Sequence, residues 1–280
     1  MTRHLRSNAA MPVETATRIS TLFANCRSAG KKAFIAYLTC GDPSPRDTAS
    51  LVLALERGGA HLIELGVPFS DPIADGRVIQ RASDRALRSG MTVPLVLEIV
   101  REIRRHSQIP LLLFSYLNPL LRYGFDKLAR NAADAGVDGV LLTDLCVEEA
   151  GDPVRRLREQ GLDTIFLAAP TSTERRLRLV AEHSSGFIYL VSRTGVTGEQ
   201  ASLSEAAAPL VKRMRALSNL PIAVGFGIST PEQVAEVTGL ADAVVVGSAI
   251  VKLIEANTVS PNLRATLENF TRQLTAPLRA

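Results

Sequence analysis

Eight short apolar runs, separated by segments of helical spacing, restrict this chain more than any other feature. The runs lie at 34–39, 61–67, 110–116, 137–143, 164–168, 187–192, 221–226 and 243–247. Each is short, rich in β-branched and aliphatic residues, and reads as a buried strand. Between them, 47–57, 93–105, 125–135, 147–160, 174–182, 204–217 and 231–238 carry apolar residues on one helical face. Eight strand–helix units close a parallel sheet on itself, so the predicted fold class is α/β, a (β/α)8 TIM barrel. A doubly wound open sheet is the alternative, but it usually has fewer strands and a glycine-rich fingerprint after its first strand, which this chain lacks. Residues 1–12 read as a disordered lead-in and 13–280 as a single barrel domain. The spacing of Ile19, Leu22, Phe23 and Cys26 predicts an extra N-terminal helix over 14–29, suited to plug the bottom of the barrel. The interval from the second run to the third is about twice the usual one, which predicts an added helix after strand 2.

Composition narrows the setting. A charge of +4 spread along 280 residues favours small anions mildly and gives no basic stripe for nucleic acid. Cys26, Cys40 and Cys146 lack CxxC spacing, so neither a disulfide framework nor a zinc site is expected, and reduced thiols point to the cytoplasm. No stretch approaches the roughly 18 apolar residues of a membrane span. The N-terminus carries positive charges with no apolar segment behind them.

Two carboxylates stand out. Glu64 lies inside the second apolar run, and period-2 alternation puts it with Leu62 and Gly66 on the face toward the barrel lumen. Burial there raises a carboxyl pKa toward neutrality, where general acid–base catalysis is most effective. A structural ion pair with a barrel arginine is the alternative for Glu64 taken alone. Asp75 follows in a loop punctuated by Pro68, Pro72 and Gly76, and is expected to be mobile and nearer to water. Barrel enzymes carry their chemistry at the C-terminal ends of strands, which is where both residues fall.

Three late loops read as a phosphate site. They are 192–198, the VGFGIST stretch with Gly225 and Gly227, and Gly247-Ser248-Ala249 at the start of a helix. Barrels frequently hold phosphate on backbone N–H groups after their last strands. A single glycine pair is more often a tight turn than a ligand cradle, but three such loops after adjacent late strands are a stronger signal. Five lysines, Lys31, Lys32, Lys127, Lys212 and Lys252, fall before strands or inside helices, so none is expected at the mouth as a Schiff base. The four histidines are scattered, and a metal site is not expected. Further candidates near strand ends are Tyr37, Tyr116, Asn118, Asp144, 171–173 and Tyr189, the tyrosines being either core or walls for a flat substrate.

The motifs FIAYLTCGDP (34–43), ELGVPFSDPIADG (64–76), SYLNP (115–119), APTST (169–173), YLVSRTGVTG (189–198), GFGIST (225–230) and VVGSAIVK (245–252) occur in an order that resembles the tryptophan synthase alpha chain family. The YGFDKLARNAADAGVDGVLLTDL stretch (123–145) adds to the resemblance, which spans about 34–254. It implies retro-aldol cleavage of indole-3-glycerol phosphate to indole and glyceraldehyde 3-phosphate in L-tryptophan biosynthesis. Carried over, Glu64 is the acid–base residue and Asp75 binds the indole N–H. Gly198, Gly227, Gly247 and Ser248 hold phosphate, Tyr189 and Phe226 lie beside the substrate, and Thr197 closes over the site. The resemblance also implies no cofactor on this chain and a pyridoxal-phosphate-bearing beta chain as partner, in an alpha2beta2 assembly contacted near Asp71-Pro72 and Asn118-Pro119. A regulatory subunit with weak chemistry of its own and a stand-alone lyase are the competing readings. Arg77 and Cys146 stand where the family usually has proline; Arg77 is expected to lower the Asp75 pKa or tether its loop.

Overall fold

The computed structural model describes residues 16–191, 203–225 and 227–279. The strands are β1 (Ala33–Thr39), β2 (Leu62–Gly66), β3 (Leu111–Ser115), β4 (Gly139–Leu142), β5 (Asp163–Ile165), β6 (Leu167–Ala168), β7 (Ile188–Val191), β8 (Ile222–Gly225) and β9 (Ala243–Val246). All pair in parallel, in the order β5-β4-β3-β2-β1-β9-β8-β7-β6. The two ends of this sheet, β5 and β6, are halves of one run parted at Phe166. Nine segments therefore fill eight barrel positions, and the chain itself completes the ring. The expected TIM barrel is what forms.

Period-2 alternation sorts the strand residues as read from the sequence. Phe34, Ala36 and Leu38 of β1 and Ile63 and Leu65 of β2 pack outward against the helices. Ile35, Leu62, Leu112, Leu141, Ile165, Phe187, Ala223 and Val245 fill the lumen. Each fully buried aliphatic side chain of this kind contributes roughly 1.5–3 kcal/mol.

The N-terminal helix, Arg18–Ser28, closes the lower end of the barrel as expected. Its Ile19, Phe23 and Cys26 join the lumen cluster. Thr17 starts it by accepting from the Ser20 N–H at 3.0 Å. Below the barrel, the buried Asp138 carboxylate binds Arg104 at 2.6 Å and Arg18 at 2.8 Å, and accepts the Leu111 N–H at 2.7 Å. Those bonds pin the plug to the sheet.

Two helices, Arg77–Arg88 and Val93–Arg104, separate β2 from β3, which accounts for the long interval between them. Two further α-helices are not evident from the sequence reading. A short helix, Leu117–Tyr123, precedes Phe125–Ala135, and a final helix, Leu263–Leu274, packs beside Pro45–Gly58. Among the described residues no helix is long and apolar enough to cross a membrane.

Candidate active site

A cavity of about 650 Å³ opens at the C-terminal ends of the strands. Glu64, Asp75, Tyr37, Phe114, Tyr189, Gly227, Gly247 and Ser248 all line it. The two carboxylates and the described phosphate-site candidates are thus brought together from separate parts of the chain.

Glu64 is 1% exposed on β2. Its Oε1 has no hydrogen-bond partner, and no arginine pairs with it among the described residues. The ion-pair alternative falls with that observation. Burial pushes its carboxyl up to about 8, so the neutral acid prevails at neutral pH. A neutral carboxylic acid can donate a proton, and the carboxylate this leaves can take one back.

Two phenols wall this carboxyl. In the β1–β2 ladder Tyr37 is the register partner of Glu64. The Tyr37 ring meets Phe114 edge-on, with centroids 5.3 Å apart at 78°, and its hydroxyl lies 3.4 Å from Thr39 Oγ1. Tyr189 comes from β7, and both phenols titrate well above their ordinary range, chiefly through burial, with the charge of Asp75 and then Glu64 adding to it at Tyr37 and that of Glu64 at Tyr189. They therefore stay neutral and offer O–H groups beside the buried carboxyl.

Asp75 is nearer to water than Glu64, as expected, but is itself partly buried. Its loop is held in place: the Asp75 N–H bonds Pro72 O at 3.0 Å, Gln80 Nε2 bonds Asp75 O at 2.9 Å, and the Ala74 N–H bonds the Tyr116 hydroxyl at 2.9 Å. The ring of Phe69 lies 5.3 Å from that of Tyr116. Partial burial raises the Asp75 carboxyl to about 6, with the Tyr116 hydroxyl pulling the other way. Arg77 neither lowers this pKa nor tethers the loop. It begins the helix after Gly76, is exposed, and makes no hydrogen bond or ion pair among the described residues.

On the adjoining wall, Gly247 caps the helix Ser248–Ala256 without a side-chain hydrogen bond. The first-turn N–H groups of a helix have no intrahelical acceptor, so this turn suits an anion. Gly227 sits nearby with φ +82°, a left-handed conformation that glycine adopts without strain. Thr197, Gly198 and Phe226 lie outside the described residues.

A charged clamp ties these two walls together. Arg85, on the helix that follows Asp75, holds the buried Asp42 through two bonds of 2.7 and 2.9 Å. It also binds Glu255 on the helix that begins at Ser248, at 2.6 Å, and Arg81 binds the same Glu255 at 2.7 Å.

Other polar candidates are structural. Asp144 accepts the Leu117 N–H at 2.7 Å, Thr173 caps the helix Glu174–His183, and Ser172 Oγ accepts the Ala169 N–H at 3.1 Å. His61 Nδ1 accepts the Phe34 N–H at 3.0 Å. Among the described residues no group of three His, Cys, Asp or Glu could hold a metal.

Lys252, placed inside a helix by its sequence position, lines the cavity after all. Being exposed, it lacks the desolvation that activates a Schiff-base lysine. Phe114, Val78, Ile79 and Phe270 also line the cavity and were not singled out from the sequence. Their only signal there was apolar periodicity, which lining and core residues share.

Comparison with known proteins agrees with this geometry. The family model described as tryptophan synthase alpha chain matches residues 23–277. A tryptophan synthase alpha chain of Solibacter usitatus is 62% identical over 92% of this chain and 97% of its own length. That of Geotalea uraniireducens is 49% identical over 94% and 98%. The crystal structure of tryptophan synthase subunit alpha from Legionella pneumophila superposes with a TM-score of 0.88 at 36% identity, covering 95% of this chain and 99% of that one. A chain of Mycobacterium tuberculosis tryptophan synthase gives 0.86 at 38% identity, over 95% and 100%. With the barrel, the cavity and the matched span in agreement, this chain belongs to the tryptophan synthase alpha chain family.

Proposed function

We propose that this chain cleaves indole-3-glycerol phosphate to indole and glyceraldehyde 3-phosphate in L-tryptophan biosynthesis and passes indole to a beta chain. The observation that carries the residue roles is the buried Glu64 acid, its Oε1 unpartnered, in one cavity with Asp75. Glu64 gives its proton to indole C3, and the ring nitrogen takes up the positive charge. Asp75, as carboxylate, accepts the indole N–H and stabilises that cation. The bond from C3 to the glycerol carbon then breaks, its electron pair returning to the ring. The glycerol hydroxyl proton passes to the Glu64 carboxylate, which regenerates the acid and leaves the aldehyde. Atoms and charge balance, with no oxidant and no electron sink beyond the ring. Gly227, Gly247 and Ser248, together with Gly198, receive the phosphate, and Tyr189 and Phe226 flank the substrate.

The family's chemistry needs no cofactor on this chain; pyridoxal phosphate belongs to the beta chain. Within the proposal the assembly is alpha2beta2 and cytoplasmic. The cavity-side surface supports a partner there. Ile73 is 86% exposed beside Asp71-Pro72, and Leu121 is 54% exposed on the helix that carries Asn118-Pro119. Phe69 and Tyr116 pack these two segments together.

The deciding experiment measures indole release from indole-3-glycerol phosphate by the isolated chain and again with a beta chain. Release in both, faster with the partner, is expected. No release in either overturns the reading.

A further inference from the structure

One face of the helix Ser248–Ala256 forms a wall of the cavity: Ser248, Ala249, Lys252, Leu253 and Ala256 recur at the three- and four-residue spacing of a single face. Lys252 is the one lysine or arginine among the described residues that line the cavity. The nearest acid in sequence, Glu255, is already engaged by Arg81 and Arg85, and Lys252 makes no ion pair among the described residues. It is a free cation one helical turn beyond Ser248.

Helical side chains lean toward the helix N-terminus and cover the preceding turn. At position 252 that geometry directs the Cα–Cβ bond toward the turn that begins at Ser248, one helical turn back, within reach of a lysine side chain. That turn alone is poorly matched to a phosphate monoester. A helix start supplies about half a positive charge, whereas the monoester carries roughly −1.5 to −2 at neutral pH. Asp75 in the same cavity adds a further negative charge once ionised. Backbone donors therefore leave more than one negative charge uncompensated.

We propose that Lys252 is a specificity-determining residue, its ammonium serving as the counter-ion of the substrate phosphate seated at Gly247 and Ser248. The inference rests on the reading of the cavity as an indole-3-glycerol phosphate site. It separates the two halves of the ligand: Lys252 selects for the charged tail, and the carboxylates act on the ring.

The test uses the full chain with its beta partner and compares wild type, Lys252→Met and Lys252→Arg. Three quantities are measured: KM and kcat for cleavage, the inhibition constant of inorganic phosphate, and the affinity for indole-3-propanol, which carries the ring without the phosphate. Lys252→Met is expected to raise KM and the phosphate constant about tenfold, the factor that about 1.4 kcal/mol represents. The indole-3-propanol affinity stays unchanged, and Lys252→Arg restores most of the loss. An unchanged phosphate constant overturns the inference, as does a parallel loss of indole-3-propanol affinity, which would mark a general distortion of the cavity. A wild-type protein that fails to cleave the substrate refutes the underlying reading instead, so the two failures are distinguishable.

Discussion

Tyr37 and Gly66 compete for one space: a Cβ on Gly66 would stand 2.2 Å from the Tyr37 hydroxyl oxygen. Because Tyr37 pairs with Glu64 in the ladder, the glycine two residues further along β2 lets the phenol lean over the sheet beside the acid. The same device recurs across the lumen, where a Cβ on Gly225 would meet the Tyr189 hydroxyl at 2.2 Å. Both close approaches serve one end, placing neutral phenols around a buried carboxyl. Gly66→Ala must displace Tyr37, so kcat/KM is expected to fall at least tenfold and stability by about 1–3 kcal/mol, the usual cost of overpacking. Steady-state kinetics with thermal melts check this; a variant with wild-type values in both would contradict it.

The pH dependence of turnover follows from two raised carboxyls. Glu64 must hold its proton, and burial moves its loss to about 8. Asp75 must have lost its proton to accept the indole N–H, which happens above about 6. The profile of kcat/KM should therefore be a bell with limbs near these two values. A profile flat from pH 5 to 9 would contradict the assignment.

Stability carries its own signature of Glu64. Its pKa rises from the ordinary 4.5 to about 8 on folding, so between these values the native state binds more protons than the unfolded state. Stability therefore falls as pH rises through that window. Glu64→Gln lacks the titrating group, and its advantage over wild type should grow by on the order of 3 kcal/mol from pH 5 to pH 8. Urea unfolding of both proteins at the two pH values measures the difference. Parallel behaviour would show that Glu64 is not buried as a neutral acid.

The Arg85 clamp gives a prediction of the opposite kind. Removing Arg85 strands the Asp42 carboxylate, whose side chain is 2% exposed. Breaking a buried pair from one side typically costs about 3–5 kcal/mol, so Arg85→Ala should lose stability of that order. A loss below about 1 kcal/mol, the range of exposed pairs, would contradict it.

Much of this was legible from residue order, for identifiable reasons. Strand positions were visible because a parallel barrel buries both faces of its strands, giving uninterrupted apolar runs such as Phe34 to Leu38. The lumen-facing placement of Glu64 followed from alternation alone. The helix Leu263–Leu274 was missed although Leu263, Leu267 and Leu274 keep helical spacing, because it follows the last strand and adds no further strand–helix unit. The bond from the Ala74 N–H to the Tyr116 hydroxyl could not be read from local sequence, because Tyr116 is distant along the chain. Arg77 looks influential by adjacency, yet a helix start turns successive side chains in different directions, and Arg77 is exposed and does not line the site that Asp75, Val78 and Ile79 line. The sequence places Lys252 in a helix, but the face it occupies depends on how that helix packs.

The most direct measurement is the rate of indole release by Glu64→Gln beside wild type, at pH 7 with a saturating beta chain. Glutamine keeps the shape and burial of the side chain and removes the transferable proton. A fall of about 10²–10⁴-fold with unchanged circular dichroism is predicted. A variant that folds and releases indole at close to the wild-type rate would contradict the account of Glu64 as the proton donor.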